Sequence, residues 1–538
     1  MSASPLALIR LFLVALAVSA VAGRSAPALP SIPAKKFEVT AYGAKGDGQT
    51  DNAPAIHRAI EAAVAAGGGA VVIPAAAKPF LSGPIALQSR VALQLEAGAT
   101  LQPLPYGKYP LEGRAHANFI TAEKVHDVAI IGAGTINGDG AAWWAAFRAN
   151  KQMPRRPDLV RFRGCTNVLV AGVSLVNSPC FHLAFNTTDH VTIEGVTVQA
   201  PEDAPNTDGI DPGGSHYLIR GCRVSTGDDN IAVKAGGSYC SDLTITNCVF
   251  GTGHGLSVGG QSNRGLDGMT VTNCTFEGTT SGLRLKADPT QGGPVRNITY
   301  ANLTMKNVKY PFVFYSYYNK AGNPGNGKFA PVAAAAWNIT PPNSLASSTI
   351  PTWENITVRD VTVTGATGSS VIWGLPLAQG FFSNVRFINL RYAGEKSFLL
   401  YNARDAQFIG STVAMKGNVP AFAVHNALAI TAQPADQHTK PGGSARFSVT
   451  VADHRATVRW TRDGRPLADG PQPGGETIAG AETGTLVVTG VQPATAGRYA
   501  AVATTALDLY DVKAHQLTPA ALPATATSAS AELTVDTP

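Results

Sequence analysis

The centre of the chain repeats a short pattern that is typical of β-strands. Apolar and polar residues alternate, a Gly or Asn bend follows, and a second short apolar segment completes the unit, which recurs every 23 to 27 residues. The copies begin at Val168, Val191, Tyr217, Leu243, Met269, Asn297, Asn355, Asn384 and Gln407. One copy cannot bury its own apolar residues, so the copies must stack as parallel coils about 4.8 Å apart. With 56 glycines and few long helical patterns, the chain is predicted to be a β-rich solenoid.

Three cysteines occupy one position of this repeat. Cys222, Cys248 and Cys274 are spaced 26 and 26 residues apart, and we align them with Val196 one coil earlier and Ala301 one coil later. We expect their thiols to point inward as small apolar core groups, because free cysteine is readily buried. Disulfide bonding is left open for the other three cysteines, which are Cys165, Cys180 and Cys240.

The first residues have the pattern of an export signal. Arg10 precedes an apolar run over residues 11–18, and small residues follow as far as Gly23. This pattern predicts a signal peptide over residues 1–23, since the run is too short to span a membrane. We therefore expect a secreted, extracellular protein with no membrane attachment after cleavage. Export would also permit disulfides.

A strand, a helix and a second strand precede the repeat. A Gly/Asp-rich turn follows residues 37–42, helical spacing runs through Ile56, Ala59, Ile60 and Val64, and residues 70–74 form a second strand pattern. This block resembles the opening of the pectate-lyase-like superfamily. The resemblance implies an all-β fold, a right-handed parallel β-helix with an N-terminal capping helix, and we expect it over residues 37–425.

The pattern changes near Leu428. Short alternating strands separated by Gly/Pro turns continue to the end, with Trp460 before an Asp-Gly turn and Tyr499 in Gly-Arg-Tyr-Ala. Residues 428–538 resemble an immunoglobulin-like β-sandwich, with Trp460 as the core tryptophan and Tyr499 at the tyrosine corner. The region contains no cysteine, so its core must rest on packing alone. Polysaccharide binding, contact with an export system and simple spacing remain open as its role.

Four polar motifs interrupt the apolar repeat. They are Asn206-Thr207-Asp208-Gly209, Gly227-Asp228-Asp229, Gly253-His254-Gly255 and Arg284-Leu285-Lys286, in a chain that is only 14% charged. Successive motifs are about one coil apart, so their side chains should gather on one face of the solenoid. Local backbone hydrogen bonding in Gly-rich turns would explain any one motif, but not four in register.

Three clustered carboxylates favour acid–base chemistry on a glycosidic bond. Mutual repulsion raises the pKa of at least one carboxyl group, which leaves a proton donor beside ionised neighbours. Glycoside hydrolysis needs that combination. Arg284 and Lys286 are two residues apart on a strand, so they share one side and could bind an anionic sugar.

Together the four motifs resemble the polygalacturonases, glycoside hydrolase family 28, and most of all the bacterial endopolygalacturonases. The resemblance implies hydrolysis, with inversion, of α-1,4 bonds in polygalacturonate. It gives Asp228 the role of general acid, Asp208 and Asp229 the activation of water, and His254 the support of the acid. It also implies that Asn206 shapes the site. The residues implied to bind the substrate carboxylate or sugar are Arg284, Lys286 and Tyr318. No cofactor or metal is expected. Many fungal and plant members have Cys after the Asp pair, where this chain has Asn230.

The residues leave other functions open. Exo-acting polygalacturonase is the main alternative to endo action, with residues 317–353 as the segment that could close the groove. Rhamnogalacturonan hydrolase, pectate lyase and a non-catalytic polysaccharide-binding β-helix are less favoured. The expected partner is polygalacturonate or pectin and the expected state is a monomer. The mild excess of 42 Lys+Arg over 36 Asp+Glu contains no basic block that would indicate nucleic-acid binding.

Overall fold

A computed structural model of the chain describes residues 26–260, 262–289, 291–318, 349–375, 382–403, 406–425, 428, 430–451, 456–511 and 516–536. The predicted signal peptide lies outside the described residues, as does most of the segment considered for groove closure. Among the described residues, neither helix is long and apolar enough to cross a membrane.

The repeat folds into a parallel β-helix, as predicted. Every pairing within its large sheets is parallel and joins one coil to the next. One ladder contains Lys36–Glu38, Gly69–Ile73, Val91–Leu95, His126–Gly132, Thr166–Ala171, Thr188–Glu194, Gly214–Arg220, Cys240–Thr246, Leu266–Thr272, Pro294–Lys306, Thr352–Ala366, Phe382–Ile388 and Gln407–Ile409. The adjoining ladder contains Phe80–Ser82, Thr100–Pro103, Thr135–Asn137, Ser174–Val176, Thr197–Gln199, Arg223–Ser225, Val249–Phe250, Thr275–Glu277, Arg391–Gly394 and Thr412–Met415.

A third ladder, called the site sheet below, carries the polar motifs. Its strands are Ile85–Leu87, Ile120–Glu123, Val160–Arg163, Leu183–Asn186, Ile210–Asp211, Ile231–Val233, Leu256–Gly259, Ser281–Lys286, Tyr310–Tyr315, Val371–Trp373, Phe398–Tyr401 and Phe422–His425. Alternate residues of each strand point into the solenoid. The aligned Ile210, Ile231 and Leu256 are fully buried there.

Two short helices accompany the solenoid. Helix α1 (Ala53–Ala65) begins with a proline in its first turn and packs its buried face on the first strands, which is the predicted cap. The buried face includes Ala63, whereas Val64, which the spacing placed on this face, is 45% exposed. The apolar face of the helix reaches residue 63 and not residue 64. Helix α2 (Ala141–Ala149) buries Trp143 and Trp144. A small antiparallel hairpin joins Leu111–Glu112 to Ala115–His116.

Several coils place non-glycine residues in the left-handed region of φ at their bends. At one bend Asn297, Asn355 and Asn384 lie on successive coils with φ of 57°, 56° and 49°. Their amides bond from coil to coil, at 3.1 Å from Asn355 to Asn297 and 2.6 Å from Asn384 to Asn355. Asparagine tolerates this conformation better than most other non-glycine residues. Here its side chain also forms hydrogen bonds that join successive coils.

The cysteine prediction is confirmed in its main point. All six cysteines are buried and free, and Cys222, Cys248 and Cys274 line the core. The register confirms Val196 as the equivalent of Cys222, since Thr197 pairs with Arg223. The Ala301 alignment is wrong. Thr275 pairs with Thr304, so Leu303 follows Cys274 in the column because that coil is 29 residues long instead of 26.

The C-terminal region is a β-sandwich, also as predicted. One sheet contains Gln437–Thr439, Ala531–Val535, Gly497–Asp511, Thr457–Arg462, Arg465–Pro466 and Gln516–Thr527; the other contains Ser444–Ser448, Thr485–Thr489, Thr477–Ala479 and Gly470–Pro471. Ile430–Ala432 pairs separately with Thr450–Val451. Trp460 is fully buried, and the Tyr499 hydroxyl donates to the Thr495 carbonyl at 2.9 Å. That bond forms the expected tyrosine corner.

Candidate active site

The coil register brings the polar motifs together beside the site sheet. Asp208, Asp229 and His254 each stand two residues before the aligned Ile210, Ile231 and Leu256. They therefore occupy one column on three successive coils, with Asp228 beside Asp229. Neighbouring coils are about 4.8 Å apart, so the column is a compact cluster.

Asp229 is a buried carboxylate that is tightly held. It accepts from Arg284 Nη1 at 2.6 Å, from Lys286 Nζ at 2.6 Å and from Ser257 Oγ at 3.0 Å. Burial acts to raise the pKa of Asp229, but Lys286 and Arg284 outweigh it and hold the pKa well below the ordinary value. Asp229 is therefore ionised throughout the physiological range of pH.

Asp228 is the most accessible carboxyl group of the cluster, with 25% of its side chain exposed. Its Oδ1 lies 3.1 Å from His254 Nδ1 and accepts the Asp229 backbone N–H at 2.9 Å. Burial raises the pKa of Asp228, but the His254 hydrogen bond opposes burial and brings the pKa below the ordinary value. Asp228 is thus ionised in the free protein unless the charge around it changes.

Asp208 holds a proton more readily than the other two. Its Oδ2 accepts from Lys234 Nζ at 3.0 Å, and Asp211 Oδ2 lies 3.9 Å from the same amine. Burial raises the pKa of Asp208 to about 7, despite Lys234, and the negative charges of Asp228 and Asp229 add to the rise. Burial also places the pKa of Asp211 well above its ordinary value. The sequence expectation of one raised carboxyl pKa therefore falls on Asp208.

The glycines around His254 are required by close backbone approach. A Cβ at Gly255, where φ is +74°, would lie 2.2 Å from the Ser281 carbonyl oxygen, and one at Gly253 would meet the Asn230 side chain at 2.8 Å. Asn230 also donates to the Thr252 carbonyl at 2.9 Å and accepts from Gly255 N–H at 2.8 Å. These bonds fix the His254 turn.

Asn206 lies at the edge of the cluster in a left-handed conformation with φ of 56°. Its Oδ1 accepts from Arg156 Nη2 at 2.7 Å, while Arg156 Nη1 donates to the carbonyls of Pro179 and Pro205, both at 2.8 Å. Asn206 is therefore held by a buried arginine.

The predicted substrate-binding residues are brought together, but the two cations differ. Arg284 is 1% exposed and pairs with Asp229 from behind the site. Lys286 also pairs with Asp229, yet it lines an open cavity and its Nζ lies 5.0 Å from the centre of the Tyr318 ring. Tyr318 lines that cavity, whereas Tyr317 is buried among other apolar residues. The geometry favours the half-buried Tyr318 over its neighbour as the aromatic group that a ligand in the cavity can reach.

The cavity, called the groove cavity below, has a volume of about 390 Å³. Its lining is strongly cationic and consists of Arg155, Arg161, Phe181, Ala184, Phe185, Asn186, Asp211, Lys234, Gly259, Gly260, Lys286 and Tyr318. Such a surface suits a ligand that carries several negative charges.

Comparison with known proteins agrees with this arrangement. The family model for glycosyl hydrolases family 28 matches residues 68–397. The chain belongs to this family. The model for the immunoglobulin I-set domain matches residues 428–515. The hydrolase is 34% identical over 308 residues to an endo-polygalacturonase of Pectobacterium carotovorum subsp. carotovorum, a match that covers 53% of this chain and 70% of that protein.

Solved structures share the fold. A polygalacturonase from Erwinia carotovora ssp. carotovora shares 28% identity with the hydrolase at a TM-score of 0.56, covering 72% of this chain and 99% of that one. A family 28 exopolygalacturonase of Yersinia enterocolitica has a TM-score of 0.59 at 22% identity, covering 73% and 78% of the two chains, and this likeness concerns the fold. The chain therefore combines a family 28 glycoside hydrolase with an immunoglobulin-like domain.

Some polar groups of the site were not singled out from the sequence. Lys234 pairs with Asp208 and Asp211, Ser257 donates to Asp229, and Arg156 holds Asn206. The positions of Lys234 and Ser257 in the coil repeat could have placed these two residues at the site. Lys234 follows directly after the strand Ile231–Val233, and Ser257 stands beside Arg284 in the ladder. Nothing in the local sequence of Arg156 indicated its partner 50 residues away.

Two groups in the described part of the chain have metal-ligand atoms within 4.8 Å of one another. One is Asp228, Asp229 and His254, but Asp229 is already neutralised by Arg284 and Lys286, which disfavours a cation there. The other is Asp189, His190 and His216, none of which lines the groove cavity.

Proposed function

We propose that the hydrolase cleaves α-1,4-galacturonosidic bonds in polygalacturonate, the acidic polymer of pectin, with inversion and by endo action. The observation that carries the proposal is a cluster of carboxyl groups beside a cationic cavity, in which one carboxyl group has a raised pKa and another a lowered pKa. Asp229 has a pKa held well below the ordinary value, while Asp208 has one of about 7. Hydrolysis of a glycosidic bond needs both a protonated and an ionised carboxyl group.

Asp228 is proposed as the general acid. Among the three carboxyl groups it is the one that a bound sugar can reach, since the side chains of Asp208 and Asp229 are 5% and 1% exposed. Its pKa in the free protein is low, so it must gain a proton on substrate binding. A uronate carboxylate arriving in the cavity brings negative charge and excludes water, and both effects raise a carboxyl pKa.

Asp208 and Asp229 are proposed to activate the attacking water. The three carboxyl groups interact strongly, so they behave as one group that shares one proton below pH of about 7. In the free protein that proton belongs to Asp208, and in the reacting complex it must move to Asp228. His254 would support this transfer by holding the Asp228 carboxyl group at 3.1 Å.

Recognition of the substrate carboxylate is proposed for Lys286, with Tyr318 beside the sugar. Arg284 would act behind Asp229, where it keeps that carboxylate ionised and in place. Asn206, fixed by Arg156, would shape the edge of the site.

Endo action is supported by the 34% identity to an endo-polygalacturonase, whereas the exopolygalacturonase likeness concerns the fold. Product analysis on polygalacturonate decides the question. Endo action yields a ladder of mixed oligomers early in the reaction, and release of mono- or digalacturonate alone would establish exo action instead. Inversion predicts that the first reducing ends seen by proton NMR have the β configuration, and absence of ultraviolet-absorbing unsaturated ends excludes a lyase.

The experiment that tests the catalytic proposal is Asp228→Asn in the full chain. Release of reducing ends should fall by about 10³-fold or more, while affinity for polygalacturonate in a sedimentation assay is retained. Asp203→Asn is the matched control, because Asp203 is an exposed carboxylate paired with Arg148. If the wild-type chain binds the polymer but releases no reducing ends at any pH, the protein is a non-catalytic polysaccharide-binding β-helix.

Secretion is part of the proposal, because a polymer substrate of this size is met outside the cell. We also propose that the catalytic chain acts as a monomer, since the described motifs all come from one chain. Gel filtration of the mature protein, with detection in the culture medium, tests both points.

A further inference from the structure

We infer that Arg155 and Arg161 form a second carboxylate-binding subsite, which takes a uronate residue other than the one at the cleaved bond. This inference rests on the proposed function. The pair is called the distal arginine subsite below.

Both arginines line the same groove cavity as Lys286 and Tyr318. They converge on Asp158, whose side chain is fully buried: Arg155 Nη2 lies 3.1 Å from Asp158 Oδ2, and Arg161 Nε lies 2.7 Å from the same oxygen. Arg161 also donates to Asn186 Oδ1. One carboxylate is therefore shared by two guanidinium groups, so the cluster keeps a net positive charge that faces the cavity.

The arginines are held in place by different parts of the backbone. Arg161 lies on the strand Val160–Arg163 of the site sheet, with 13% of its side chain exposed. Arg155 is 51% exposed at its side chain, and its backbone bonds to the hairpin through Arg155 N–H to the Arg114 carbonyl at 3.0 Å and His116 N–H to the Arg155 carbonyl at 2.9 Å. The half-exposed guanidinium has donors left for a ligand, since arginine carries five N–H groups.

Register separates this subsite from the reacting groups. Arg161 pairs with Ala184, and Ala184 pairs with Asp211 on the next coil. Asp208 lies on the coil of Asp211, and Asp228 and Asp229 lie one coil further on, so two to three coil steps, about 10–14 Å along the solenoid axis, separate Arg161 from the reacting carboxyl groups. A carboxylate bound by the distal arginine subsite therefore belongs to a different sugar residue from the one that meets Lys286.

An ion-pair network that only stabilises the coil is the competing explanation. A single arginine would neutralise Asp158, and a purely structural pair would not need to lie on the wall of the groove cavity. Planar guanidinium groups bind carboxylates through two parallel hydrogen bonds, which suits an acidic polymer better than a neutral one.

The test is a binding measurement in the full chain carrying Asp228→Asn, so that the ligand is not consumed. Titration calorimetry with a defined oligogalacturonate should show that Arg161→Gln and Arg155→Gln each raise Kd about tenfold, the loss expected for one charge-assisted hydrogen bond. Arg161→Lys should recover part of the affinity. Arg163→Gln is the matched control, because Arg163 is an exposed arginine on the same strand that does not line the cavity.

A second ligand separates recognition from stability. With a fully methyl-esterified oligomer the Arg161→Gln effect should disappear, because the ligand has no carboxylate to lose contact with. The inference is overturned if Kd is unchanged in both glutamine variants, if Arg163→Gln raises Kd equally, or if the loss is the same for the esterified oligomer. Failure of the proposed function is a separate result, namely a wild-type chain that releases no reducing ends.

Discussion

Replacing Lys234 by methionine should trap the shared proton on Asp208. Lys234 Nζ lies 3.0 Å from Asp208 Oδ2, and its positive charge is what keeps the pKa of that buried carboxyl group from rising further. Burial lowers the pKa of Lys234, but Asp211 and Asp208 outweigh burial and place it well above the ordinary value, so the lysine is charged. Methionine has similar length and no charge.

The size of the effect follows from the contact. A neighbouring opposite charge shifts a carboxyl pKa by about 1–3 units, so the pKa of Asp208, about 7 in the native protein, should rise by that amount in Lys234→Met. Each unit changes the partition of the proton between Asp208 and Asp228 about tenfold. The reacting form, with Asp228 protonated and Asp208 ionised, should therefore become about 10 to 1,000 times rarer.

The measurement is kcat/KM on polygalacturonate as a function of pH. The group as a whole loses its proton as pH rises through the pKa of Asp208, so wild-type activity should decline above pH of about 7. In Lys234→Met the plateau should fall and this alkaline decline should move to higher pH. Lys234→Arg, which keeps the charge, should retain the position of the decline.

Lys306→Met provides the control, because Lys306 is an exposed lysine paired with Glu277 on the adjoining ladder, outside the site sheet. Its pH profile should match the wild type. If Lys234→Met loses activity equally at every pH with no displacement of the alkaline decline, while its Tm is unchanged, the shared-proton reasoning is wrong.

Three further predictions concern the scaffold. Arg156→Met should lower the free energy of unfolding by roughly 3 kcal/mol in a denaturant titration, because removal of the buried guanidinium leaves three acceptor oxygens unpaired. A change near zero would mean that water replaces the guanidinium as their donor without cost. Tyr499→Phe should lower the free energy of unfolding of the second domain by about 1 kcal/mol through loss of the bond to Thr495; kcat/KM should be unaltered, and an altered kcat/KM would mean that the bond also matters for the active site. Alkylation of the denatured, unreduced mature protein should label all six cysteines, and any unlabelled pair would reveal a disulfide.

Much of the fold could be predicted because the repeat has one physical solution. Alternating apolar residues every 23 to 27 positions must be buried by stacking, and the structure pairs Val168 with Val191 and Val191 with Tyr217 as the pattern requires. The error at Ala301 came from coil length. An alignment by period cannot detect three extra residues in one coil, whereas the ladder from Thr275 to Thr304 measures them directly.

The sequence predicted which residues form the cluster, but not which cation pairs with which carboxyl group. Spacing placed Asp208, Asp229 and His254 on successive coils, because that argument needs only sequence separation. The assignment of the raised pKa to Asp208 depends on burial and on which cation lies nearest, and neither is encoded in spacing. Lys234 is 26 residues from Asp208, a full coil along the chain, yet it contacts that carboxylate.

Ion pairs between acidic and basic side chains of the site also limit which cations can bind the substrate. Four buried or partly buried carboxyl groups pair with the basic side chains Lys234, Arg284, Lys286 and His254; they are Asp208, Asp211, Asp228 and Asp229. Because a buried carboxylate left without a cation is strongly destabilising, Lys234, Arg284 and Lys286 are largely committed to the protein itself. An arriving uronate must then share Lys286 with Asp229 or find charge elsewhere on the cavity wall. The excess positive charge there belongs to Arg155 and Arg161, which share Asp158 alone among the described carboxylates. Because the cations at the reacting centre are committed there, part of substrate recognition lies on Arg155 and Arg161, two to three coils away.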